Sequence, residues 1–170
     1  MKKVYLIGFM GSGKSAIGKR LGTLLNLPFY DMDTEISNRT GMTIPQIFET
    51  YGEEGFRDME TEFLRDFQDE FCIIATGGGV AMREENRKIM RRTGLVFYLN
   101  STFRDIWRRI STDVNRPIVQ RSSRHELESL FRKRKPLYLQ SAHFKVETTN
   151  RSLNEITQYI ASQIIRLRNE

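Results

Sequence analysis

The sequence predicts an α/β fold built on a parallel sheet, and three observations predict it. Short apolar runs alternate with longer stretches of helical periodicity, the order of elements that builds βαβ units. The runs Val4–Ile7, Cys72–Ala75 and Val96–Leu99 are apolar without alternation, as in strands covered on both faces. A Gly-rich segment, Gly8 to Ser15, joins the first of these runs directly to the first helical stretch.

Strands are expected at Val4–Ile7, Pro28–Tyr30, Cys72–Ala75, Val96–Leu99 and Phe144–Glu147. Lys14–Leu25 reads as a helix with Ile17, Leu21, Leu24 and Leu25 on one face. Thr43-Ile44-Pro45-Gln46 has capping-box spacing with proline in the first turn, and opens a short helix through Tyr51. Glu53–Phe71 reads as a longer helix. Ser152-Leu153-Asn154-Glu155 is a second capping box, opening a last helix that turns Ile156, Ile160, Ile164 and Leu167 to one side. Two stretches are irregular: Thr76–Gly79, and Ser111–Ser123, which reads as a mobile surface loop.

With 170 residues, 39% of them hydrophobic, the chain is the size of one domain (1–170) and can bury a core. No stretch approaches the run of about 20 apolar residues that spans a bilayer. Met1-Lys2-Lys3 followed by Val4–Met10 imitates a secretory leader, but glycines and Lys14 stand where a cleavage site belongs, so the run reads as a buried strand. Cys72 is the only cysteine, which excludes an internal disulfide and agrees with a cytoplasmic protein; its apolar neighbours suggest a buried bystander. His125 and His143 lack metal-ligand spacing. The net charge of +6 is uneven, since Arg83–Lys135 carries 15 Lys/Arg against 6 Asp/Glu. Such a segment implies an anionic partner. Nucleic acid is the lesser candidate, because no aromatic platforms interleave the arginines.

Gly8-Phe9-Met10-Gly11-Ser12-Gly13-Lys14-Ser15 fills every position of the phosphate-binding pattern G-x-x-x-x-G-K-[ST], between a strand and a helix as that pattern requires. Glycines let backbone N–H groups turn toward phosphate oxygens, and the helix N-terminus adds partial positive charge. Lys14 can reach the β- and γ-phosphates and Ser15 can ligate Mg²⁺. Further on stand Asp31-Met32-Asp33, Ile44 to Phe48, Gly52-Glu53-Glu54-Gly55-Phe56-Arg57 with Glu60, Thr76-Gly77-Gly78-Gly79, Asn115-Arg116-Pro117 and Arg134-Lys135-Pro136-Leu137-Tyr138. Asp31 and Asp33 follow a strand and so lie near the carboxyl edge of the sheet, where ligands bind. They equally suit the N-terminus of the helix that follows. Arg57 is a planar fork suited to a carboxylate, although an Arg57/Glu60 pair taken alone reads as a solvated surface bridge.

In their order and spacing these motifs resemble the shikimate kinases over nearly the whole chain. The resemblance implies the three-layer P-loop kinase fold, with a five-stranded sheet in the order 2-3-1-4-5, an acceptor-binding segment at about 33–61 and a lid at about 111–123. It implies ATP-dependent phosphorylation of the 3-hydroxyl of shikimate, a step toward chorismate and the aromatic amino acids, with Mg²⁺ as cofactor. The partners it implies are ATP and shikimate, without nucleic acid or membrane, and the chain would act as a monomer. Lys14, Asp33 and Arg116 become catalytic. ATP contacts fall on Gly11, Ser12, Gly13, Lys14, Ser15, Ala16, Arg109, Arg116 and Arg151. Asp33, Arg57, Gly77, Gly78, Gly79 and Arg134 contact shikimate, with Phe48 and Phe56 walling the ring. Ser15 binds the metal directly and Asp31 through water. Two departures stand out: Leu153 aligns where many relatives place a proline against adenine, and Ile118-Val119 replaces Leu-Leu after Arg116-Pro117. Kinases for gluconate or nucleoside monophosphates share the phosphate loop, but the Asp31/Asp33, Phe56-Arg57 and triple-glycine set argues against them.

Overall fold

In the computed structural model, which describes residues 3–111 and 122–168, β1 (Lys3–Ile7) is buried at every residue because it is the middle strand. Among the described residues five strands form one parallel sheet in the order β2-β3-β1-β4-β5, as the sequence led us to expect. β2 is Phe29–Asp31, β3 Ile73–Ala75, β4 Gly94–Asn100 and β5 Phe144–Glu147. Val4 pairs with Ile73 on one side and Leu95 on the other, and Leu6 with Ala75 and Phe97. The carboxyl ends of β1 and β3 are therefore next-door neighbours, and both run into glycine-rich loops.

The strand period of two splits the core into two layers. Tyr5 and Ile7 face α3 (Ile44–Asp66), α4 (Glu84–Thr93) and α6 (Arg124–Ser141), joining Phe56, Phe63, Met90 and Tyr138. Val4 and Leu6 face α1 (Lys14–Leu25) and α7 (Leu153–Arg168), joining Ile17, Leu21, Ile156, Ile160 and Ile164. α2 (Met32–Thr40) and α5 (Phe103–Ile110) complete the described helices, with a short 3₁₀ turn at Val80–Met82. No described helix is long and apolar enough to cross a membrane.

Both capping boxes form: Thr43 with Gln46 at α3, and Ser152 with Glu155 before α7. The two helices expected around Gly52 form one element with a break there, where φ is 70° and ψ −177°. The second half stops at Asp66, short of the expected Phe71: Phe67 turns extended at φ −72° and ψ 118°, and its carbonyl accepts from the Lys3 ammonium at 2.6 Å. Leu24 is 45% exposed, against the expected apolar face. That face is instead centred on Gly18, Leu21 and Gly22, which let α1 approach Phe29, and Leu24 falls at its edge. The strand at Pro28 starts one residue later, since proline has no N–H for the ladder; its carbonyl still accepts from Ile73 N at 2.9 Å. β4 begins two residues earlier than expected, at Gly94, where the Lys3 carbonyl and the Tyr5 ring crowd so close that a side chain would collide. Helices α4, α5 and α6 were not marked out by apolar periodicity; α6 even contains Pro136.

Candidate active site

The donor half is backbone. Gly13 is the N-cap of α1 with φ 92°, a left-handed conformation that leaves the helix start without any side-chain cap. The first amides of α1 are thus left to an incoming anion. Lys14 Nζ folds back over the loop and donates to the carbonyls of Gly8 (2.8 Å) and Phe9 (3.0 Å). Ser12 is buried, and its hydroxyl has no hydrogen-bond partner among the described residues. The Ser15 hydroxyl donates to Asp31 Oδ2 at 2.5 Å, while Asp31 Oδ1 accepts from the amides of Asp33 and Thr34 and so caps α2. Capping fixes Asp31 at the end of β2, where its free edge meets Ser15. Two hard oxygen donors side by side beside a phosphate loop are a fit for Mg²⁺, which completes its shell with waters and phosphate oxygens. Arg109 is exposed and donates to Gly11 O at 3.1 Å, so it lies on the loop. Ala16 is exposed on the first turn of α1. Arg151 donates to Glu147 O at 3.3 Å, with its guanidinium 5.3 Å from the Tyr159 ring. Arg116 and the lid expected around it fall outside the described residues, except at the lid's ends.

The acceptor half is made of side chains buried around the triple glycine. Arg57 Nη1 donates to Glu60 Oε2 at 2.6 Å, and Nη2 to Glu53 Oε1 at 3.4 Å. This is a buried pair and not the surface bridge the spacing suggested: Glu60 is 0% exposed and Arg57 9%. Burial lifts the Glu60 carboxyl above its ordinary range, with Arg57 pulling it back and the neighbouring Asp33 adding to the rise. The guanidinium lies flat on Gly79, where an added Cβ would sit 2.3 Å from its Cζ and both Nη atoms. A Cβ on Gly77 would sit 2.4 Å from Glu60 Oε1 and 3.1 Å from Asp33 Oδ1, so both carboxylates border that residue. Gly78 is half-buried and touches both halves: its Cβ would come 3.4 Å from Met10 N and 3.7 Å from Arg134 Nη1. Arg134 is buried, and its Nε lacks a partner among the described residues. Phe48 and Phe56 pair at 4.8 Å, and the Arg57 guanidinium is 5.4 Å from Phe56.

The model of the shikimate kinase family matches residues 10–165. The chain belongs to that family. It is 44% identical over 163 residues to the shikimate kinase of Nitrosospira multiformis, covering 95% of this chain and 84% of that one. The shikimate kinase of Acinetobacter baumannii, solved in complex with shikimate, superposes with a TM-score of 0.93 over 100% of this chain and 96% of that one, at 36% identity. A gluconokinase from Sinorhizobium meliloti shares the fold alone, with a TM-score of 0.60 at 13% identity over 98% of this chain and 93% of that one.

Within this shikimate kinase fold, the structure gathers Asp33, Arg57, Gly77–Gly79 and Arg134 beside the phosphate loop, with Phe56 adjoining Arg57 and Phe48 packed on Phe56. Arg151 and Leu153 follow the end of β5, where Leu153 opens α7 with 39% of its surface exposed. Cys72 is fully buried, and burial pushes its thiol up to about 12. His143 Nδ1 accepts from Val96 N, a structural task. Sequence reasoning gave no site role to Glu60, although its place three residues after Arg57 was visible. It also gave none to Tyr138, one helical turn past Arg134, whose hydroxyl donates to the Gly78 carbonyl.

Proposed function

We infer that this chain transfers the γ-phosphoryl group of ATP to the 3-hydroxyl of shikimate, giving shikimate 3-phosphate on the route to chorismate. The single observation that carries the reading is a pair of buried arginines, Arg134 beside Gly78 and Arg57 against Gly79, where Gly78 itself borders the phosphate loop. Arg57 already shares its charge with Glu60, so the two guanidiniums together keep net positive character and favour a compact carboxylate. Arg134 Nε in particular gains an acceptor only when such a group arrives.

In this reading the loop amides and Lys14 hold the donor phosphates, with Arg109 beside the loop. Mg²⁺, held by Ser15 and through water by Asp31, would neutralise charge on the β- and γ-oxygens. Arg57 and Arg134 clamp the shikimate carboxylate, Phe48 and Phe56 flank the ring, and the glycine amides receive its hydroxyls. Asp33 holds the reacting hydroxyl and takes its proton as the oxygen attacks in line. A loose phosphoryl transition state asks little of a base, so most of the acceleration comes from positioning and from the cationic groups of Lys14 and Arg116. The chain is read as a cytoplasmic monomer, with the basic segment serving phosphates and not nucleic acid. A coupled assay with shikimate, quinate and gluconate tests the acceptor. Turnover with gluconate matching that with shikimate would sink the assignment.

A further inference from the structure

The carbonyls along the triple-glycine loop are all engaged, and that settles how its amides are aimed. Gly77 O accepts from Val80 N at 3.2 Å and Gly79 O from Met82 N at 3.0 Å, through the 3₁₀ turn. Gly78 O is the one carbonyl of the three that the turn does not hold, and it accepts from the Tyr138 hydroxyl. The amides of Gly78 and Gly79 have no acceptor among the described residues. In a trans peptide the C=O and the following N–H point in opposite directions, and no described peptide is cis. Fixing Gly77 O therefore aims the Gly78 amide, and fixing Gly78 O aims the Gly79 amide. Glycine backbones tolerate many orientations, so without that anchor the Gly78–Gly79 plane would be held less firmly.

Tyr138 is suited to the task. Its ring is fully buried and stacks on Tyr98 at 5.2 Å between centroids. Burial pushes its phenol above the ordinary range, so it stays a protonated donor, with the nearby Arg134 pulling the other way. It sits one helical turn from Arg134 on α6, so the same turn of helix carries the clamp and the anchor.

We propose that Tyr138 is a positioning residue for the acceptor: its hydroxyl locks the Gly78–Gly79 peptide plane, presents the Gly79 amide as a donor to the bound hydroxy acid, and ties that donor to Arg134. The proposal rests on the acceptor reading above, and its test has one arm that needs no substrate. Tyr138→Phe keeps the ring and removes the hydroxyl, which donates to Gly78 O and also meets the Arg134 side chain. In the ligand-free protein the Gly79 amide, read by ¹⁵N NMR and hydrogen exchange, shifts and loses definition, while the α1 amides stay put. In kinetics, kcat/KM for shikimate falls about tenfold, as expected when a donor is misaimed, while KM for ATP stays within twofold. Tyr98→Phe, which removes a buried hydroxyl from the stacked neighbour, leaves both KM values within twofold. An unchanged Gly79 amide in Tyr138→Phe overturns the proposal. So does equal loss toward ATP and shikimate, or a Tyr98→Phe variant as impaired as Tyr138→Phe. Should the wild-type chain transfer nothing to shikimate, the function falls, and the amide measurement still judges Tyr138.

Discussion

The two halves of the site are built from different materials. The phosphate-loop half is eight consecutive residues that present mostly backbone, with Lys14 folded over carbonyls of the same loop. The acceptor half is assembled from α2, α3, the loop after β3 and α6, and depends on a buried ion pair whose members each need the other. A local backbone cradle tolerates change around it and fails at a few positions. A non-local cluster of buried charges fails by degrees, because each partner lost leaves another charge without its complement.

The comparison breaks most visibly at Lys14. Lys14→Ala should lower kcat by about a thousandfold with every acceptor, since charge on the migrating phosphoryl loses one of the cations proposed to neutralise it. If shikimate affinity measured by calorimetry fell as steeply, the two halves would not be separable. Next, Asp33→Asn should cost about a hundredfold or more in kcat with little change in shikimate dissociation; steady-state losses of equal size in both would remove its role as base. Gly79→Ala pushes a methyl group into the Arg57 guanidinium. It should raise KM for shikimate by roughly ten- to a hundredfold and spare KM for ATP, the reverse pattern to a donor lesion.

Glu60 sharpens the contrast through pH. Its carboxyl is held above the ordinary range by burial, with Arg57 opposing. A raised carboxyl stabilises the fold in its protonated form, fully below the unfolded value of about 4.3 and less as pH climbs through the folded value. Glu60→Gln should therefore gain stability relative to wild type as pH rises from about 4 toward 8, in urea denaturation. A gap that moves the other way would mean the Arg57 attraction outweighs burial. The smallest effect belongs to Leu153→Pro. Leu153 is the first residue of α7, where proline is tolerated, so KM for ATP should move by no more than about threefold and thermal stability hardly at all.

How much was legible follows the same division. The phosphate loop could be read whole, because its chemistry is written in contiguous glycines and a lysine. The sheet could be read because β1, β3 and β4 are apolar on both faces. The capping boxes at Thr43 and Ser152 were visible since a cap and its partner stand three residues apart, whereas the one at Ser123, with the same spacing to Glu126, was missed because no apolar periodicity marked the helix it opens. What escaped depends on burial or on distant partners. Nothing in the spacing of Arg57 and Glu60 tells a solvated bridge from a fully enclosed one. Nor could Tyr138 be matched to Gly78, 60 residues earlier in the chain. At the end of α3 the Phe67 carbonyl is taken by Lys3, a partner from the far end of the sequence that local spacing does not reveal. Arg134 was placed only through family likeness, since α6 gives a weak periodic signal with Pro136 in its midst.

Adjacent placement of β1 and β3 has one more effect. Peptide hydrogen bonding holds neighbouring strands about 4.8 Å apart regardless of side chains, so the distance between the roots of the two ligand loops acts as a fixed ruler. Substitution cannot stretch it. A descendant of this scaffold that took a bulkier alcohol would have to find the room sideways, by rebuilding the helical hairpin of α2 and α3, while the span the phosphorus crosses stayed the same.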